Sequence, residues 1–348
     1  VSTKPLKTVG LKRRQLMSLV PLLGLAGFGV AQSSALPSLH QRRDSRALLG
    51  TQVDIAVEGP DAARLVIAVE SAYQEMARLS AMMSRYEPAS ALSAVNRAAG
   101  LHPVTVPPEL MTVLQHGQRL HRESNGLFDM TVGSLKSWQF EVGNLGRVPE
   151  SRQLANELSR VGAKGLRIDA SAGTAALLQK GAALDLGGVA KLPILAAGLR
   201  RLQENGIENV LINGGGDVLY SGSWQGRPWR VGLRDPRRSD RLLGVLPLSG
   251  QGVLAASGDY ERFFLQKGER HHHILDPRNG QSSQGPIGVH LLARDVESVN
   301  GLGAIIMIGG ESMARQMVAQ RAELELLVVN PDRTEWATPG ITRLLSRG

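Results

Sequence analysis

Several short runs in this chain place residue types where they could hold a phosphate, move a proton or stack on a flat ring. In DLGGVAK (185–191) a carboxylate and two glycines precede an expected helix carrying Lys191 one turn in. Backbone N–H groups at a helix start can hold an anion, and a lysine adds a point charge. A tight strand-to-helix turn with an exposed lysine is the plainer alternative. The run fits neither a Walker A loop nor a G-x-G-x-x-G fingerprint. In NVLINGGGDVLYSG (209–222), Gly214, Gly215 and Gly216 are closed by Asp217. Glycine lacks a Cβ and reaches positive φ cheaply, so this backbone can come close to a phosphate, a flavin or another strand.

A third run, AASGDYERFFLQKGERHHHILDPRNGQS (255–282), offers Ser257, Gly258 and Asp259 at a polar turn, then an aromatic-rich strand, then His271, His272 and His273 ahead of Asp276 and Arg278. Successive side chains on a strand face opposite ways, so at most His271 and His273 share a face and no three-histidine zinc site is expected. One histidine near Asp276 and Arg278 could act as a general base beside a phosphate; an exposed polar strand end is equally compatible. MSRYEPASALSAVNR (83–97) places Arg85, Tyr86 and Glu87 before a helix start at Ser90, with Tyr86 either stacking on a flat ring or packing into the core. GLFDMTVGSLKSW (126–138) gives a buried-looking Phe128 with Asp129 and Thr131 at a turn.

The elements that must position these runs follow from periodicity. TQVDIAVEG (51–59) alternates as a strand, and residues 61–86 carry helical apolar spacing opened by Asp61. A second helix follows the Pro107-Pro108 pair and stops at Gly126. From Ala182 the pattern predicts a strand, a Gly-Gly turn, a helix to about Gly206, a buried strand, the glycine turn and another strand. Strand-like pieces at 229–234, 244–248, 252–256, 287–292 and 325–329 surround an apolar helix at 298–321. This mixed order argues for an α+β arrangement in one compact unit.

Composition narrows the function classes. With 348 residues, 42% hydrophobic and 20% charged, the chain has ample material for a core. Five of the nine net positive charges are Lys4, Lys7, Lys12, Arg13 and Arg14, in a segment 1–31 without Asp or Glu. The remainder is only modestly basic and aromatic residues are few, so no nucleic-acid partner is expected. LKRRQLMSLVPLLGLAGFGVAQSSA reads as a signal peptide: a basic start, an apolar stretch interrupted by Pro21, and small residues suited to cleavage after Ala31 or as late as Ala35. Its Arg13-Arg14 pair fits twin-arginine export to the periplasm, with no membrane anchor left after cleavage. There is no cysteine, hence no disulfide and no thiolate metal site.

Taken in order, these runs resemble the ApbE family of FAD:protein FMN transferases. The family's tyrosine-proline-Ser-Leu-Ser-Asn run, G-x-F-D-x-T-V-G, D-L-G-G-x-A-K, N-x-G-G-D, S-G-D-Y-x-R-F and H-I-x-D-P-R-x-G are matched by Tyr86 to Asn96, Gly126 to Gly133, Asp185 to Lys191, Asn213 to Asp217, Ser257 to Phe263 and His273 to Gly280. The resemblance implies a single compact ApbE-like domain over 46–348, with mixed sheets and packed helices behind the signal peptide. It implies an FAD pocket drawing on Tyr86, Asp129, Asp185, Gly187, Lys191, Gly215, Asp217, Ser257, Asp259, Arg262 and Asp276. His273 is its implied proton acceptor, and Ala190, Asn300 and Ala304 stand at its implied Mg2+ positions. In such a reaction a threonine hydroxyl of a partner flavoprotein attacks the FMN-side phosphorus and AMP leaves.

One departure weakens the implied metal site. The family run A-D-A-x-x-T-A aligns with VNGLGAI (299–305), so Asn300 replaces its aspartate and Ala304 its threonine, the two expected at i and i+4 of a helix. Magnesium prefers charged oxygen donors. Leu192 also stands where a glycine usually follows the lysine. Two functions are therefore expected: a metal-assisted FMN transferase serving a flavoprotein such as a membrane-bound electron-transfer protein, or a periplasmic flavin-binding accessory protein that does not turn FAD over. The chain also resembles the exported branch of the family associated with nitrous-oxide reductase maturation. A nicotinamide enzyme is disfavoured, because the dinucleotide fingerprint and its ribose-binding acid are missing.

Overall fold

The computed structural model describes residues 39–140 and 146–347. The expected signal peptide, with Arg13, Arg14 and the cleavage region, lies outside the described residues. Apolar alternation of period two builds an eight-stranded sheet. Its order is His40–Leu48, Thr51–Gly59, Asn209–Gly214, Asp217–Ser221, Gly252–Gly258, Gly288–Ala293, Glu325–Val329 and Glu335–Ala337. Every neighbouring pair is antiparallel.

Antiparallel sheets often leave one face to water, but this one is covered on both. On the strand Glu325–Val329, Leu326 and Val328 enter the larger core while Leu327 and Val329 enter a second one. The larger core is closed by the helices Ala62–Met83, Lys191–Glu204 and Leu302–Gln320; the second by the hairpin Trp229–Arg234 with Leu242–Leu248. The helix Ala62–Met83 forms because Asp61 accepts hydrogen bonds from the N–H groups of Ala63 and Arg64 at 2.8 and 3.2 Å, and because Leu65, Ala68, Val69, Ala72 and Met76 bury one stripe. This is the α+β fold expected from the sequence.

Three local expectations are corrected. The apolar run after Ala182 is buried but joins no sheet, since its polar groups are taken elsewhere. Leu184 N–H and C=O bond the Asn96 side chain at 2.7 and 3.1 Å, Ala183 N–H bonds Ser134 Oγ at 2.9 Å, and Asp185 N–H bonds the Met130 carbonyl at 2.8 Å. The helix bearing Lys191 begins at that residue, not a turn before it. The last long helix starts only at Leu302, because Gly301 has φ 83°, and it breaks at Gly310, with φ 78°. Asn300 therefore precedes the helix and does not share a helical face with Ala304.

Candidate active site

The three glycines make a tight hairpin. Gly214 pairs with Asp217, leaving Gly215 and Gly216 as a two-residue turn with φ 68° and 104°. Two positive φ values in succession are what such a turn needs. The turn delivers Asp217 to the start of an inner strand of the sheet, where it is only 5% exposed. Its Oδ1 accepts from Ala256 N–H at 2.8 Å and its Oδ2 meets Lys191 Nζ at 2.6 Å. Lys191 Nζ also lies 3.3 Å from the Gly214 carbonyl. One lysine thus ties the helix start to the glycine hairpin, and one aspartate ties that hairpin to the strand carrying Ser257.

Upstream of Lys191, Asp185 Oδ1 accepts from Gly187 N–H at 2.7 Å, which shapes the turn, and Asp185 Oδ2 pairs with Arg85 at 3.2 Å. Arg85 holds Tyr86 in turn: its guanidinium lies 4.8 Å from the ring centroid and donates to the phenol oxygen at 2.9 Å. Tyr86 is 59% exposed, so of the two expectations for it, core packing fails and an outward ring remains. An exposed aromatic ring is suited to stacking on a flat ligand.

Ser257 lies beneath the start of the last long helix, where a Cβ on Gly303 would collide with its hydroxyl. Beside it, Asn300 Nδ2 donates to the Val189 carbonyl at 2.9 Å, next to Ala190. A Cβ on Gly188 would come within 4.0 Å of the Ala304 methyl and 3.0 Å of Phe128. Asn300 and Ala304 thus lie against the Gly188–Val189 turn next to Ala190, but as donors they offer only one neutral amide, whose Nδ2 is engaged, and a backbone carbonyl. Among the described residues no group of three His, Asp or Glu side chains could hold a metal ion. This donor set does not fit magnesium, which favours charged oxygens.

His273 follows directly on the strand Glu269–His272. Its backbone N–H and its Nδ1 both approach the Arg262 carbonyl, at 3.1 and 3.3 Å. A carbonyl only accepts, so Nδ1 carries the proton and Nε2 keeps a lone pair. Burial, then the Arg262 charge, pushes the His273 pKa down to about 3, which keeps the ring neutral near pH 7.

The remaining candidate carboxylates serve as braces. Asp259 makes a two-pronged pair with Arg237 at 2.6 and 2.7 Å. Asp276 binds Arg278 through its backbone N–H at 2.9 Å and its Nη2 at 2.6 Å. Asp129 Oδ1 accepts from Thr131 N–H at 2.8 Å, and its Oδ2 faces His121 at 3.2 Å. Among the described residues none of these three hydrogen-bonds to the Lys191–Asp217 group. A cleft of about 690 Å3 beside the Asp276 turn, lined by His271, Asp276, Ser283 and Gly309, is within the size of small-molecule sites. A second cleft, near Pro103 and Asp169, lies away from every candidate residue.

The structure adds positioning residues that sequence reasoning passed over. Asn96 holds the backbone ahead of Asp185, and Arg237 fixes Asp259. Asn96 ends a motif run and could have been singled out there. Arg237 lies in an arginine-rich loop, and nothing local distinguishes it from Arg238 or Arg241.

Comparison with known proteins gives the family. The sequence pattern of the ApbE family matches residues 49–328, and the chain belongs to that family. An FAD:protein FMN transferase of Klebsiella pneumoniae is 29% identical over 295 residues, 83% of this chain and 89% of the relative. One of Rhodobacter capsulatus is 30% identical over 235 residues, 67% of this chain, which spans 45% of that longer protein. The ApbE protein of Thermotoga maritima superposes with a TM-score of 0.79 at 26% identity, covering 88% of this chain and all of the other. The flavin transferase ApbE of Vibrio cholerae gives 0.76 at 25% identity, with 88% and 100% covered.

Proposed function

We propose that this chain is an FAD:protein FMN transferase that moves FMN from FAD to a threonine of a partner flavoprotein. The observation carrying this reading is the junction at Lys191, where a helix start, the glycine hairpin and the outward-held Tyr86 meet through Asp217, Asp185 and Arg85. Lys191 and the backbone N–H groups near it suit a phosphate, and the Tyr86 ring suits the flavin. In the step, the threonine Oγ forms a bond to the FMN-side phosphorus, the bond to the bridging pyrophosphate oxygen breaks, and AMP departs with that oxygen. The hydroxyl proton passes to His273 Nε2, available because Nδ1 is committed to Arg262. Magnesium assistance is implied by the resemblance alone.

The same residues support a second reading, a flavin-binding accessory protein, which the Asn300 and Ala304 replacements favour. Incubating the purified chain with FAD and candidate threonine-bearing flavoprotein domains separates the two. An acceptor gaining the mass of FMN, with AMP released, is expected; FAD bound but never cleaved in the presence of a flavinylatable acceptor refutes transfer. We further propose export to the periplasm through Arg13 and Arg14, on the strength of the segment's basic and apolar composition. Cell fractionation of the Arg13→Lys/Arg14→Lys variant tests this, and normal periplasmic delivery would count against the twin-arginine route. No described helix is long and apolar enough to cross a membrane.

A further inference from the structure

We infer that flavin nucleotide binding by this chain does not depend on a divalent cation, because the Asn300 amide satisfies by hydrogen bond the Val189 carbonyl against which a carboxylate would need one. The inference rests on the flavin-site reading given above. At Asn300 the side chain points its Nδ2 at the Val189 carbonyl, 2.9 Å away, with the residue 4% exposed. A carboxylate in that place has no hydrogen to donate, so it would set an anionic oxygen against a carbonyl oxygen and need a cation between them. An asparagine satisfies the carbonyl by itself.

The surroundings hold that arrangement from behind. His116 Nε2 donates to the Asn300 carbonyl at 3.1 Å, which leaves its Nδ1 to accept from Arg119 at 3.0 Å, and Arg119 pairs with Glu297 at 2.9 Å. The Nδ2 and the backbone carbonyl of Asn300 are therefore committed, and its Oδ1 is a neutral oxygen. On the other side Ala304 offers only a methyl to the turn at Gly188. Cationic groups near the turn are Lys191, placed by Asp217, and Arg85, paired with Asp185. The Asn300 and Ala304 replacements form one consistent change, from a cation-bridged junction to a hydrogen-bonded one.

The test is a titration of the purified chain with FAD, followed by flavin fluorescence, in chelator and again in millimolar magnesium. The dissociation constants are expected to agree within about threefold; a larger tightening by magnesium overturns the inference. The variant Asn300→Asp supplies a second readout. It should melt at lower temperature than the parent in chelator and recover with magnesium, whereas indifference to both conditions overturns the strut argument. If that variant does not fold, the wild-type titration still decides. Absence of FAD binding in either buffer overturns the flavin-site reading together with this inference, while magnesium-dependent binding overturns the inference alone.

Discussion

Replacing Asp217 by asparagine removes one charge at the point where the glycine hairpin, the Lys191 helix and the Ser257 strand are joined. The substituted side chain can still accept from Ala256 N–H through its oxygen, so the bond now 2.8 Å long survives. Its NH2 group would then face Lys191 Nζ, donor against donor, at a separation now of 2.6 Å. Losing a hydrogen bond to a charged group costs about 1.5–3 kcal/mol, and breaking a buried ion pair about 3–5 kcal/mol. The aspartate side chain is 6% exposed but that of Lys191 is 31% exposed, so the freed ammonium can turn toward water. That discount places the loss near the bottom of the range, about 2 kcal/mol. A domain of this size should then melt about 3 °C lower. Urea and calorimetric unfolding of Asp217→Asn, Lys191→Met and the double variant measure it. The double variant should lose less than the sum of the singles, because each single already removes the same contact. A loss under about 0.5 kcal/mol, with additive effects, would show the pair to be a screened surface contact and refute its role as the joint.

Tyr86→Ala should weaken FAD binding by about 1 kcal/mol, roughly fivefold. Equal affinity by flavin fluorescence would remove the ring from the flavin site. His290 gives the chain an acid-sensitive core: it is 2% exposed, and burial, opposed only in part by the Arg234 backbone, pushes its pKa down to about 4. The unfolded state then binds the proton more readily, so stability is fully present above about pH 6.5 and falls as pH drops toward 4, by at most about 3 kcal/mol. Urea midpoints for the parent and His290→Leu across that window should converge in acid; a parent curve flat down to pH 4 would contradict the reading.

What the sequence determined by itself is what neighbours within a few residues decide. Asp61 capping the helix Ala62–Met83, Pro108 in the first turn of its helix, and the two-residue turn at Gly215-Gly216 all depend on short-range backbone geometry. The period-two runs from Thr51 to Val329 became sheet strands for the same reason: alternation survives whichever strand turns out to lie alongside. The order of the motifs was likewise enough to identify the family, which the chain's relatives bear out. Only the tertiary structure decided which groups meet. The stretch after Ala182 has the composition of a buried strand, but Asn96, 88 residues away from Leu184, supplies its hydrogen bonds and keeps it out of the sheet. Asp185, Asp217, Asp259 and Asp276 look equivalent on paper. Folding gave Asp185 to Arg85, Asp217 to Lys191 and Asp259 to Arg237, and left Asp276 bracing its own turn. The left-handed Gly301 moved Asn300 off the helix and aimed its amide at Val189. A charge or an amide finds its partner by proximity in space, and that proximity is set by how the packed elements come to rest against each other.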